Sequence, residues 1–230
     1  CGCDVEFIDI VPEAPRENWR CTKCNSTSRN RFLIYSLGLW LSERGPISKW
    51  KANKQLIIFE ASGTGGYNRY LKEKFDYFNT QFDPEKQKEL NVDPRCYANL
   101  ENLLFADSSI DVMVTSDVFE HVRYYQRAIK EIFRVLKPGG LFILQMPYSH
   151  GREKTITRVE VNGDENIMIL SPVYHASNTL VYRDYGRDVL TELRDAGFSV
   201  GHLGIEIPEF SIPKQSIILA EKSAFIEMER

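Results

Sequence analysis

Three groups of residues have types and spacings that could do chemistry. Four of the five cysteines, Cys1, Cys3, Cys21 and Cys24, stand within the first 24 residues. Cys21-Thr22-Lys23-Cys24 has the two-residue spacing of a zinc knuckle. With Cys1-Gly2-Cys3 it offers four thiolates for a closed tetrahedral site, one that stabilises folding and leaves no open position for catalysis. A disulfide framework or reduced, unliganded cysteines use the same residues, but the remainder of the chain has the composition of a cytosolic enzyme, where paired thiols more often hold metal. The turn Glu60-Ala61-Ser62-Gly63-Thr64-Gly65-Gly66 follows an apolar run and precedes a helical pattern. Its glycines let the backbone approach a ligand closely, and the helix start supplies free N–H groups. It suits a dinucleotide, a phosphate or a similar cofactor, and equally a plain tight turn. Asp117, Glu120 and His121 lie at i, i+3 and i+4, one face of a helical turn. Two carboxylates and an imidazole can hold a divalent metal such as magnesium, which would bind an acceptor's paired hydroxyls; a solvated or capping face has the same residues.

The elements that must position these groups follow from periodicity. Residues 29–50 read as a helix: Phe32, Leu33, Leu37, Trp40 and Leu41 recur at helical spacing, and Gly45-Pro46 ends it. Leu56 to Phe59 is a short apolar run suited to a buried parallel strand. Tyr67 to Phe75 reads as a helix, and Tyr77–Phe82 and Asp111–Ser116 as strands. Tyr125 to Leu136 puts Ala128, Ile129, Ile132, Phe133 and Leu136 on one helical face, and Lys137-Pro138-Gly139-Gly140 breaks it. Leu141–Met146 is the next strand, Asp188–Ala196 a helix closed by Gly197, and Val200–Ile207 and Ser216–Ala220 two final strands. Alternating strands and helices imply a mainly parallel sheet covered on both faces. Residues 1–28 form a separate cysteine-rich element, and residues 29–230 the main domain. Within it, residues 149–184 lack a clear period and fall after a strand's carboxyl end, where a substrate lid would sit.

Bulk properties narrow the classes. With 230 residues, 43 % hydrophobic and 27 % charged, the chain can bury one α/β core and a small appendage. A net charge of −3 gives no reason to expect a nucleic-acid clamp or a membrane-binding face. No apolar run reaches the ~20 residues that cross a bilayer. The opening Cys1-Gly2-Cys3-Asp4 lacks the basic and apolar regions of a signal peptide, and a start at cysteine suits a chain whose original N-terminus is missing. A cytoplasmic location is the expectation.

Three blocks in order decide the class. They are Asn99 to Val114, then Ser116-Asp117-Val118-Phe119-Glu120-His121-Val122, then Arg134-Val135-Leu136-Lys137-Pro138-Gly139-Gly140. Together they closely resemble the small-molecule branch of the class I S-adenosylmethionine-dependent methyltransferases, well over residues 55–150 and loosely over 185–222. The resemblance implies a Rossmann-like, doubly wound α/β fold with a mainly parallel seven-stranded sheet and helices on both faces, plus the small N-terminal zinc-binding element. The stretch from Arg20 to Arg31 resembles the zinc-ribbon leader of bacterial methyltransferases found among glycan-modifying genes, and Tyr185-Gly186-Arg187-Asp188 fits that group too.

The resemblance also implies roles. Glu60, Ala61, Ser62, Gly63 and Gly65 would wrap the methionine part of S-adenosylmethionine. Asp83, or Gln81 in an alternative register, would bind the ribose hydroxyls; Asn99 and Leu100 would flank the adenine. Ser116 and Asp117 would face the methyl group. Two departures stand out: Phe59 fills the family's usual acidic slot, with Glu60 one residue out of register, and Ala61 replaces a glycine. His121, whose pKa lies near neutrality, is the candidate base for a hydroxyl acceptor, with Asp117 beside it. Tyr148, His150, Arg152, Tyr174, His175, Tyr182, Arg183 and Tyr185 give the insertion aromatic and cationic character that suits a sugar or polar metabolite, or plain lid packing. The expected function is O-methylation of a sugar or other small polar metabolite, with a small-molecule or glycan acceptor and neither nucleic acid nor membrane as partner. Methylation of RNA, and a non-catalytic binding module on a degenerate methyltransferase fold, are the alternatives.

Overall fold

A computed structural model describes residues 2, 7–8, 16–17, 19–63, 65–83, 85–86, 89, 93–149, 151–175 and 178–223. Near the start, β1 (Phe7–Ile8) pairs antiparallel with β2 (Arg20–Cys21). Helix α1 (Ser28–Leu41) begins at a capping box: Thr27 and Asn30 each accept the other's backbone N–H through their side chains. It ends where Ser42 turns left-handed, at φ 57°. Helical spacing therefore stops well short of residue 50, and only a single 3₁₀ turn, Ile47–Lys49, follows.

The main sheet is built from β3 (Asn53–Ala61), β4 (Phe75–Thr80), β5 (Ile110–Ser116) and β6 (Leu136–Gln145), with α2 (Asn68–Lys74) after β3 and α3 (Tyr125–Val135) after β5. The insertion contributes short strands β7 (Ile156–Thr157), β8 (Val159–Asn162), β9 (Glu165–Met168), β10 (Tyr174–His175), β11 (Thr179–Leu180) and β12 (Arg183–Asp184). Helix α4 (Asp188–Asp195) then leads to β13 (Phe198–Ile207) and β14 (Ile212–Lys222).

The strand order is β13-β14-β6-β5-β3-β4. The β3–β4, β3–β5 and β5–β6 pairings are parallel, whereas β14 pairs antiparallel with both β6 and β13. Six strands are thus joined among the described residues, one fewer than expected. Beside β4, where a seventh would add, there is a single parallel bridge, Gln81 to Tyr97. The chain leading to it is wound into a turn: Cys96 and Tyr97 both donate their N–H to the Asp93 carbonyl, and Pro94 has no N–H for a ladder.

Alternation along the central strands sorts the core into two layers. Phe59, Met113 and Phe142 pack with Ala128, Ile129 and Ile132 of α3 and Val189 and Leu193 of α4. Ile58, Val112 and Ile143 pack on the other face with Phe32, Leu33 and Leu37 of α1 and Leu71 of α2. Strands covered on both faces need apolar residues at every position, and this is why they read as continuous runs. The Lys137-Pro138-Gly139-Gly140 stretch does end α3, but it lies inside β6 as an irregularity, with Gly139 at φ 76°. A Cβ on Gly140 would lie 2.8 Å from the Lys137 carbonyl.

The two ends of the insertion meet at a parallel bridge between Tyr148 and Tyr185, which flank residues 149–184. Among the described residues no helix is long and apolar enough to cross a membrane.

Candidate active site

The carboxyl ends of β3, β5 and β6 bring the predicted groups to one edge of the sheet, as parallel α/β architecture requires. At the end of β3, Glu60 is fully buried. Its carboxylate accepts hydrogen bonds from the hydroxyls of Tyr67 and of Tyr77, the latter at 2.5 Å. Burial pushes its pKa up to about 7 against the lowering effect of both tyrosine bonds. The carboxylate lies directly under the glycine turn: a Cβ on Gly63 would lie 2.3 Å from Glu60 Cδ. Asn68 and Asn79 both donate to the Gly63 carbonyl, at 3.0 and 2.8 Å, and fix the turn's shape. Glu60 therefore reaches the loop even though it stands one residue from the usual acidic slot. Ser62 closes the bend at φ 57°, with its N–H on the Thr80 carbonyl. Ala61 is buried in the core, and a side chain on Gly65 would strike the Tyr67 ring.

The cysteine-bearing segment packs on this loop. A Cβ on Gly66 would lie 1.8 Å from the Cys24 carbonyl oxygen. Nothing in residues 60–66 announces that contact, because the two segments are far apart in sequence. Cys21 and Cys24 are both buried, the Cys24 N–H points to Cys21 Sγ at 3.5 Å, and Asn25 turns left-handed at φ 59° to direct its N–H at the Cys21 carbonyl. The other two thiols predicted for that site, Cys1 and Cys3, lie outside the described residues, as does His150.

Around the predicted cofactor contacts, Asp83 Oδ1 accepts the N–H groups of Glu85 and Lys86, at 3.0 and 3.2 Å. Gln81 is exposed and spends its backbone on the bridge to Tyr97. Asn99 accepts the Glu101 N–H, whereas Leu100 is buried in the core. Ser116 donates to the Gln145 side chain at 3.0 Å.

Asp117 is not on a helical turn with Glu120 and His121. Its backbone is left-handed, at φ 51°, a conformation aspartate tolerates better than most residues, and a 3₁₀ turn starts only at Phe119. The Asp117 carboxylate instead pairs with Arg29 and, at 2.9 Å, with Arg16. The i, i+3, i+4 reading assumed regular helix at a residue whose backbone has opposite hand.

Glu120 and His121 gather a different third member, His175 of β10. Glu120 Oε1 is 3.8 Å from His121 Nε2 and 3.5 Å from His175 Nδ1, and the two imidazoles stack edge-on with centroids 5.0 Å apart. The Glu120 side chain is 2 % exposed, and neither carboxylate oxygen accepts a hydrogen bond among the described residues. Burial first, then the Asp117 charge, raises its pKa to about 7. His121 Nδ1 lies 2.8 Å from the Leu180 carbonyl, so Nδ1 carries the proton and Nε2 keeps its lone pair. Burial holds the His121 pKa below its ordinary value.

Glu120 and His175 open on a cavity of about 800 Å³ that Arg16, Arg152, Arg183 and Gln215 also line. Gln215 is 7 % exposed, and its amide nitrogen and oxygen have no partner among the described residues. Sequence reasoning missed Gln215, which sits in an ordinary strand pattern, and gave His175 no partner because its neighbours lie 55 residues upstream.

This site sits on a recognisable domain. The family described as Methyltransferase domain matches residues 61–144. The fold around that match is the Rossmann-like one of methyltransferases. A probable S-adenosylmethionine-dependent methyltransferase of Mycolicibacterium smegmatis is 39 % identical over 61 residues, 25 % of this chain and 24 % of that protein. One from Mycobacterium tuberculosis is 38 % identical over 81 residues, 32 % of this chain and 29 % of that protein. The chain therefore spans less than a third of the length of these curated relatives. Among solved structures, an S-adenosylmethionine-dependent methyltransferase from Mesorhizobium loti superposes with a TM-score of 0.53 at 13 % identity, covering 86 % of this chain and 99 % of that one. That likeness shows the fold.

Proposed function

We propose that this protein transfers a methyl group from S-adenosylmethionine to a hydroxyl of a sugar or other small polar metabolite. The cofactor supplies the methyl group from a sulfonium centre. The residues present fit it: Ser62, Gly63, Gly65 and Gly66 line a turn whose Gly63 carbonyl is held by two asparagines, and Asp83 has its rotamer fixed through Oδ1, with no bond to Oδ2 among the described residues. Ser116 ends β5 at the same sheet edge, and Asn99 is assigned to the adenine. Asp117, held by two arginines, acts as a positioning group at the mouth of β5.

The observation that carries the acceptor class is the cavity beside Glu120. Its buried, unpartnered Gln215 amide and its arginines suit a ligand rich in hydroxyl groups, because polar atoms left buried without partners are destabilising until a ligand pairs them. Methyl transfer needs donor and acceptor aligned in line, and the insertion of residues 149–184, stapled at Tyr148–Tyr185, is placed to cover the acceptor as a lid. His121, with Nδ1 on the Leu180 carbonyl and Nε2 beside the cavity-lining Glu120, is the base assigned to take the hydroxyl proton. Cys21 and Cys24, with Cys1 and Cys3, are assigned to a structural zinc that braces the cofactor loop through the Gly66 contact.

Incubation with methyl-labelled S-adenosylmethionine and separated cell fractions tests this reading. Label is expected in a glycan or small-metabolite fraction. Label in RNA alone would replace the acceptor class, and no label in any fraction would favour a binding module.

A further inference from the structure

We infer that Glu120, His121 and His175 form a binding site for a divalent transition-metal cation, and that this cation ties the acceptor's neighbouring oxygens to the floor of the cavity. The inference deepens the methyltransferase reading and rests on it for the acceptor, but not for the metal.

Three donor atoms from two stretches of chain lie within 4.8 Å of one another: a carboxylate oxygen of Glu120, Nε2 of His121 and a ring nitrogen of His175. Metal–nitrogen and metal–oxygen bonds of about 2.0–2.2 Å place donors about 3–3.5 Å apart, so separations of 3.5 and 3.8 Å around Glu120 need little closing. The independent sign is Glu120 itself. A carboxylate buried to this depth is ordinarily paired or hydrogen-bonded, and this one has no hydrogen bond among the described residues while it faces the cavity. The neighbouring Asp117 is itself an anion, paired with Arg16 and Arg29, and repels the Glu120 carboxylate rather than pairing it.

The surroundings prepare the ligands. The His121 Nδ1–H bond to the Leu180 carbonyl fixes the tautomer that presents Nε2, as backbone carbonyls do for metal-bound histidines. Leu180 lies on β11, whose hairpin partner β10 carries His175. One hairpin thus supplies one ligand and orients another, and the Tyr182 N–H anchors the following residues to the Glu120 carbonyl at 2.8 Å. Two imidazoles and one carboxylate favour a transition metal over magnesium, and three protein ligands leave positions open toward the cavity. Neighbouring oxygens of a vicinal diol or an α-hydroxy acid match those positions. With the cation bound, the His121 lone pair is used in ligation, the cation's charge makes the hydroxyl more acidic, and its proton passes to bulk water through the open cavity rather than to His121.

Titration of the full chain with Co²⁺, followed by absorption, tests the site. Imidazole and carboxylate ligands give weak visible bands without the sulfur charge transfer that Cys21 and Cys24 would add. The expected result is a non-thiolate cobalt site whose affinity falls at least tenfold in His175→Ala and in Glu120→Gln, with slowed amide exchange at Thr179–Val181 on cobalt addition. His175 is 42 % exposed, so its removal leaves the fold intact, which melting temperatures check. A spectrum of sulfur charge transfer alone, or a non-thiolate site undiminished in His175→Ala, overturns the proposal. Calorimetry with S-adenosylmethionine on the same samples separates the two readings: cobalt without cofactor binding removes the methyltransferase, and cofactor without cobalt binding removes the metal site.

Discussion

Glu60 and Glu120 are two buried glutamates with opposite surroundings. Glu60 stands at the carboxyl end of β3 and Glu120 in the turn after β5, and each has its pKa raised to about 7 chiefly by burial. Glu60 is paired by two tyrosine hydroxyls and closes beneath the glycine turn. The Glu120 carboxylate accepts no hydrogen bond among the described residues and opens on a cavity lined by polar groups. The first carboxylate is spent on holding the glycine turn; the second is free for the ligand proposed above. Burial alone therefore does not mark function, whereas burial without a partner does.

The largest effect expected from breaking this contrast is on turnover. Glu120→Gln should lower methyl transfer about a hundredfold or more, yet leave the melting temperature unchanged or higher, because it removes an unpaired buried charge. Loss of stability in parallel with activity would make Glu120 structural like Glu60.

Glu60→Ala should do the reverse kind of damage. It leaves the buried Tyr67 and Tyr77 hydroxyls without acceptors and should destabilise the fold by about 2–4 kcal/mol, read from denaturant unfolding. The raised pKa also has a pH signature. Below the ordinary value of 4.5 the group is protonated in both states and carries no penalty. As pH rises from there to about 7, the unfolded chain ionises first, so stability falls, by about 3 kcal/mol at most, and then levels off. Glu60→Gln should lessen that fall, leaving the share of Glu120, which titrates over the same range; an unaltered pH profile would place the titration elsewhere.

Gly66→Ala tests whether the cysteine-bearing segment braces the loop. A Cβ 1.8 Å from the Cys24 carbonyl must push the two segments apart. The expected loss is about 1–3 kcal/mol with weaker cofactor binding, measured by melting and calorimetry. Unchanged binding would detach that segment from the cofactor site. The smallest effect belongs to Asp117→Asn, whose partners Arg16 and Arg29 are 30 % and 20 % exposed. Solvent screening limits the stability loss to about 1 kcal/mol, and the change should appear mainly in turnover.

Much of the fold could be read beforehand because strands covered on both faces must be apolar throughout, so Leu56–Phe59 and Asp111–Ser116 stand out. The turn-forming Asp93-Pro94 that reduces a seventh strand to the Gln81–Tyr97 bridge carries no such pattern. Within the site, the glycine turn and the Glu120-His121 pair were legible from local spacing. The left-handed Asp117, the packing of Cys24 on Gly66 and the arrival of His175 were not. Each depends on segments brought together only by the tertiary fold, and a periodicity assumes regular backbone at the position where Asp117 departs from it.

The domain's claim to be a working methyltransferase is tested most directly by calorimetric titration with S-adenosylmethionine. Saturable binding of a single cofactor per chain, weakened in Gly63→Ala where a Cβ meets the Glu60 carboxylate, is the expected result. No binding at millimolar cofactor would contradict it.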